Sequence, residues 1–265
     1  MNGGDGDRTH RQYLSFQTML YHFGFIFSLI LLMSAVSIQP SAFAQPATTR
    51  QFQDITGDIY ANEIEQAVTL GIVAGFEDQT FRPQTPVTRE QLVSMVLRGM
   101  EQVPLANSSQ NTNLTLPTVP TQITTNPFSD VDKTRWSAPQ IQYLKDLGIV
   151  RGYPDGTFHP TQTVTRAELI VMLQAVDRYL VEFRGNWDGR SPYTQPVPLN
   201  FSDIQNHWAR DTITEMSGNC HTGAVATPLN ETGTQFAPDT ASQRNYAAAA
   251  IVREVRCLSV PAISS

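Results

Sequence analysis

The chain has 265 residues, 18 Lys+Arg against 24 Asp+Glu, a formal net charge of −6 and 40% hydrophobic residues. That hydrophobic content supports a packed core and argues against wholesale disorder, and the acidic balance argues against a nucleic-acid partner, which would need a basic face. Lys133 and Lys145 are the only lysines, so nearly all positive charge is on arginine, whose planar guanidinium suits carboxylate recognition.

Near the N-terminus, Arg8 and Arg11 precede the uncharged apolar run FGFIFSLILLMSAV from Phe23 to Val36. Ala42-Phe43-Ala44 then fits the small-x-small cleavage pattern of a secretory signal peptide. The run is shorter than the ~20 residues a bilayer span needs. Residues 1–44 are therefore predicted to be a signal peptide, and the mature chain to begin near Gln45, exported and without a stable membrane span. A start at Met19 would remove both arginines from the basic region, and no cysteine near the cleavage site points to a lipid-modified start.

After a short lead-in at 45–51, the chain repeats itself. The copies open FQDITGDIYANEIEQAV at Phe52, FSDVDKTRWSAPQIQYL at Phe128 and FSDIQNHWARDTITEM at Phe201. Their spans are 52–101, 127–184 and, more divergent, 201–260, separated by linkers at 102–126 and 185–200. The first linker has no charged residue and no hydrophobic period. Each copy has Phe-x-Asp, an aromatic (Tyr60, Trp136 or Trp208), an amphipathic segment, a turn, Phe-x-Pro and a second apolar segment.

The spacing of Ile141, Leu144 and Leu147, and of Trp208, Ile213 and Met216, predicts a first helix in each copy, stopped at Gly71, Gly148 and Gly218. Thr88 to Gln91 and Thr165 to Glu168 fit the capping box, and Val87 with Leu92 and Val164 with Leu169 fit the hydrophobic staple. The predicted fold class is all-α, three helix-loop-helix units. Asp54, Asp130 and Asp203 are expected to cap the first helix or its lead-in turn. Cys220 and Cys257, an even count in an exported chain, predict one disulfide, with two buried thiols as the alternative.

The second copy, with GIVRGYPDGTFHP from Gly148 and TRAEL from Thr165, resembles the S-layer homology family almost residue for residue, and the first is close. The resemblance implies a pseudo-threefold unit in which one helix per repeat builds a central bundle and ligand grooves lie between repeats. It also implies a non-enzymatic, cell-envelope role in binding cell-wall polysaccharide. That ligand is acidic and often pyruvylated in some envelopes, and peptidoglycan-linked in Gram-negative types.

Several residues admit a structural and a functional reading. Thr88 and Thr165 are explained by capping alone, or they touch ligand. A cation at the first helical position opposes the helix dipole, so Arg89 and Arg166 are expected to hold an anionic group together with free helix N–H groups. The alternative is an ion pair with a neighbouring repeat's acid. Arg244 occupies a similar place without a clean capping box. Trp136 and Trp208, with Tyr60, either stack on sugar or belong to the core. Gly75 and Gly152 either admit a ligand close to the backbone or serve the turn. No catalytic constellation, metal-ligand spacing among His159, His207 and His221, or cofactor loop is present, so neither enzyme activity nor a cofactor is expected. The rival function is a structural or protein-interaction module with an envelope protein partner.

Overall fold

The computed structural model describes residues 52–103, 106–107, 112–113, 115–183, 197–218, 220 and 223–259. The predicted signal peptide, the lead-in, most of the second linker and parts of the first lie outside these residues. The described residues form six α-helices: α1 Ala61–Thr69, α2 Arg89–Glu101, α3 Ala138–Asp146, α4 Arg166–Phe183, α5 Arg210–Gly218 and α6 Arg244–Ser259. The other regular elements are a 3-10 turn at Leu229–Glu231 and a two-residue antiparallel pairing of Ala106–Asn107 with Thr112–Asn113. No described helix is long and apolar enough to cross a membrane.

The second helices α2, α4 and α6 meet one another. Each first helix packs on the second helix of the preceding unit, α3 on α2 and α5 on α4, and α1 on α6 closes the ring. Backbone hydrogen bonds close the same ring at the helix starts. Val87 N–H donates to the Ser242 carbonyl (2.9 Å), Ser242 N–H to Val164 (2.8 Å) and Val164 N–H to Val87 (2.9 Å). Those three residues occupy one equivalent position, so the chain has an internal pseudo-threefold arrangement.

Both capping boxes form. The Thr88 side chain accepts from Gln91 N–H while Gln91 reaches back to Thr88 N–H. In the second unit, Thr165 N–H donates to Glu168 at 2.8 Å and Glu168 N–H to Thr165 Oγ1 at 3.2 Å. The expected staple residues Val87, Leu92, Val164 and Leu169 are fully buried. Gly71 and Gly148 end their helices in the left-handed region (φ 71° and 74°), where a Cβ would be strained. Gly218 does not act this way. It is the buried last residue of α5, and Cys220 follows two residues later, bonded to Cys257 with a Cα–Cα distance of 5.5 Å.

One expectation is corrected here. Asp54, Asp130 and Asp203 do not cap helices. Each carboxylate accepts two backbone N–H groups from its own unit's Phe-x-Pro, as Asp130 does from Phe158 and His159, both at 2.7 Å. The middle residues Arg82, His159 and Ala237 all have φ of 55–58°, so the two charge-assisted bonds hold a left-handed turn that their side chains disfavour. Phe-x-Asp and Phe-x-Pro are thus two halves of one clasp, with their rings 5.3–5.7 Å apart. The first linker, for its part, is docked where described. Tyr143 donates to the Pro117 carbonyl and Lys133 to that of Thr124, and Leu116, Val119 and Ile123 pack half-buried on the core.

Candidate functional site

Helix α2 projects Arg89 toward the second unit, α4 projects Arg166 toward the third, and α6 projects Arg244 toward the first. Each guanidinium is buried and donates to two loop carbonyls of that neighbour. Arg89 reaches Phe158 (2.7 Å) and Arg151 (3.4 Å), Arg166 reaches Phe236 and Thr227 (both 2.8 Å), and Arg244 reaches Phe81 and Ala74 (both 3.0 Å). The helix N–H groups expected to be free for an anion are also occupied. Arg166 and Ala167 N–H donate to Thr240 and Pro238, and the other two helices repeat the pattern. The arginine is tolerated at a helix start because neighbouring carbonyls compensate both the cation and the orphan N–H groups.

The ion-pair alternative holds for Arg89, whose Nη1 lies 3.3 Å from Glu168, but at Arg166 the equivalent neighbour is Tyr246, stacked 3.6 Å away. Arg244, which does not face a capping-box acid, has its pKa lowered by burial. Thr88 and Thr165 serve as caps. Gly75 and Gly152 have a second physical reason beyond the turn. A Cβ on either would fall 1.9 Å or 2.4 Å from the ring of Phe52 or Phe128, so the clasp phenylalanine fills the side-chain space.

The aromatics divide by register. Ile64, Ile141 and Ile213 N–H donate to Tyr60, Ser137 and Ala209, which makes those three residues equivalent and buried. The residue before each is Ile59, Trp136 or Trp208, exposed by 55%, 56% and 67%. The core reading is therefore right for Tyr60 and wrong for the tryptophans, and Ile59 takes the third place on the surface.

One groove of about 580 Å³ brings predicted residues from all three units together: Arg89 from the first, Gly152 from the second and Trp208 from the third. Its floor is Leu147 to Tyr153 and one face of α4 from Glu168 to Glu182. Arg151 and Tyr153, inside the quoted motif but not among the candidate site residues, and Arg178 and Tyr179 on α4 add cations and aromatic faces. Tyr153 donates to Glu168 (3.2 Å), and burial raises its pKa, so the phenol stays protonated as a donor. On the far wall, Gln174 bonds Thr212 and Glu215, and Arg178 lies 3.6 Å from Glu215, tying α4 to α5. The groove thus presents two exposed arginines, Arg151 and Arg178, and aromatic faces, the chemistry that grips an acidic sugar, with Arg89 buried behind them.

Arg166 lines a smaller cleft of about 220 Å³ with Ile59, Tyr60 and Tyr246. Trp136 stands beside Arg135, which grips Glu90 through two bonds of 2.7 and 2.8 Å. Burial pushes the Glu90 carboxyl up, but Arg135 and Ser137 outweigh it and hold the pKa below the usual range. A shallow depression between α1 and α6 offers Glu63 and Glu65 against one arginine and no aromatic, a poor match for an acidic glycan. Among the described residues, no group of three or more His, Cys, Asp or Glu is placed to hold a metal ion.

Known proteins share this pattern over part of their length. Cell surface glycoprotein 1 of Acetivibrio thermocellus is 29% identical over 146 residues, 54% of this chain and 6% of that protein. The Middle cell wall protein of Brevibacillus brevis is 28% identical over 157 residues, 58% of this chain and 13% of that protein. A Cellulosome-anchoring protein of Acetivibrio thermocellus is 26% identical over 141 residues, 52% of this chain and 26% of that protein. The chain therefore spans a small part of these relatives. Residues 51–93 and 127–170 match the S-layer homology domain, while the third helical pair lies outside the matched segments.

Proposed function

We propose that the chain is an exported, non-enzymatic cell-envelope module that binds an acidic, peptidoglycan-linked wall polysaccharide in the groove between Arg89, the Gly148–Tyr153 loop, α4 and Trp208. The observation that carries this reading is the groove itself, with three arginines and the exposed Trp208 around one cleft of about 580 Å³. Arg151 and Arg178 face the ligand's acidic groups, and Trp208, Tyr153 and Tyr179 supply flat faces for pyranose rings. Arg89 contributes from behind, because its bonds to loop carbonyls set the shape of the groove. Arg166 and Arg244 act chiefly as braces between units, and Thr88 and Thr165 as helix caps. The relatives named for cell surface, cell wall and anchoring support the envelope assignment.

The test is sedimentation with purified wall sacculi. The native chain should co-sediment, more weakly at high salt. Trp208→Ala should bind about tenfold less, a loss of about 1.4 kcal/mol in keeping with one stacked aromatic. Because that side chain is two-thirds exposed, the thermal midpoint should hold. A chain that sediments only with another envelope protein would favour the protein-interaction reading.

A further inference from the structure

The three second helices can be compared residue by residue from their first arginine. The tenth residue is Arg98 in α2, Ala175 in α4 and Arg253 in α6. Arg98 reaches from α2 to the Gly71 carbonyl, 3.3 Å away, on the loop that leaves the first helix of its unit. Arg253 bonds Glu63 at 2.8 Å and Glu231 at 2.9 Å. Burial disfavours its charge, but the two carboxylates more than restore it and raise the pKa. Arg98 is thus committed to its own unit's loop, and Arg253 to Glu231 of its own unit's loop and to Glu63 on α1 of the first unit. In the second unit, Gly148 stands where Gly71 does, and Gly148 and Ala175 both line the open groove. Ala175 packs half-buried against the core, and its methyl is too short to cross the groove.

We infer that Ala175 is the specificity-determining residue that leaves the second unit's groove open to glycan, and that the arginines at its two equivalents bar the corresponding spaces. This rests on the glycan-binding reading above. In the third unit the equivalent ground holds two separate depressions, one of about 220 Å³ lined by Arg166, Ile59 and Asn230 and one of about 480 Å³ lined by Glu63 and Arg256, and Arg253 is bonded to Glu63 of the one and to Glu231, next to Asn230 of the other. One arm of arginine length at Ala175 would lie across the groove to the Gly148 carbonyl as Arg98 lies to Gly71. The chain then engages one glycan strand through the second unit, and the pseudo-threefold frame does not multiply the sites.

The experiment is Ala175→Arg with Arg98→Ala, each titrated against purified wall sacculi beside the native chain. Ala175→Arg should bind at least tenfold more weakly with an unchanged thermal midpoint, since Ala175 is half-buried and arginine is a good helix former. The added positive charge alone would strengthen attraction to an acidic glycan, so a loss reports occlusion. Arg98→Ala should raise the amount bound at saturation by freeing a second groove rimmed by Trp136. Should Ala175→Arg fold poorly, Ala175→Gln places a shorter, uncharged arm in the same path and should weaken binding several-fold. Native-like binding by a folded Ala175→Arg or Ala175→Gln chain, or unchanged saturation in Arg98→Ala, would overturn the inference. Failure of the native chain to bind sacculi would instead overturn the function on which it rests.

Discussion

The groove of the second unit and its counterpart in the third share one backbone plan and differ in side chains. Both begin with a buried arginine donating to two loop carbonyls, and both lie beneath a Phe-x-Asp, Phe-x-Pro clasp. The second has Ala175 and Trp208 where the third has Arg253 and Ile59. The third also has Pro228 where the second has Gly152, and a longer loop that Cys220 and Cys257 hold to α6. The comparison separates two jobs that one motif confuses. The repeated residues build the frame, and unrepeated ones decide whether a space remains for a ligand.

The sharpest way to break that comparison is Arg166→Ala. If Arg166 is a brace, its loss strands the Phe236 and Thr227 carbonyls, each costing about 1–3 kcal/mol, and forfeits a stacked cation worth up to about 2 kcal/mol. About 4–6 kcal/mol of stability should disappear, with a thermal midpoint about 8–24 °C lower by circular dichroism, using about 2–4 °C per kcal/mol for a domain of this size. A cation merely facing an anion at a helix start would leave the midpoint unchanged, because removing it relieves the dipole. The two readings predict opposite results from one melting curve.

A smaller effect should come from the disulfide. Cys220→Ser with Cys257→Ser releases a crosslink with a sequence separation of 37, which the chain-entropy model values at about 3–4 kcal/mol. The longer loop of the third unit should loosen and the midpoint fall, while sacculus binding at low temperature stays near native. Lost binding at low temperature would mean that the third unit's loop shapes the ligand groove, and the division between frame and site would not stand.

Much of the frame was legible because its signals are local. Helical periods, two capping boxes and the left-handed stops at Gly71 and Gly148 lie within a few residues of what they control. The role of Arg166 was not, because its acceptors, Phe236 and Thr227, are backbone carbonyls 61–70 residues away that no side-chain pattern announces. Tyr60 was placed in line with the tryptophans because one residue of lead-in differs before the first helix, and the backbone bonds of Ile64, Ile141 and Ile213 restore the register. Ala175 left no mark of its own. Its meaning appears only when Arg98 and Arg253 are seen spanning the equivalent places.

The smallest predicted effect concerns a difference in the core. At the position of Gly99 and Val176, the third unit has Glu254, buried to 2% exposure beside a small apolar space formed by α2, α4 and α6, with neither carboxyl oxygen hydrogen-bonded. Burial first, and the nearby Asp177 second, push its pKa well above the ordinary 4.5. The folded chain therefore holds a proton that the unfolded chain releases near pH 4.5. Below that pH both states are protonated and Glu254 contributes no penalty. Above it, stability falls by about 1.4 kcal/mol per pH unit until the folded-state pKa is passed. Glu254→Gln keeps the shape without the titrating proton, so its unfolding free energy from denaturant melts should equal the native value near pH 4 and exceed it by about 1.4 kcal/mol near pH 5.5. Parallel native and Glu254→Gln stability curves between those two pH values would show that Glu254 is already paired as an anion, and that the third unit's core is less different from the second's than its geometry indicates.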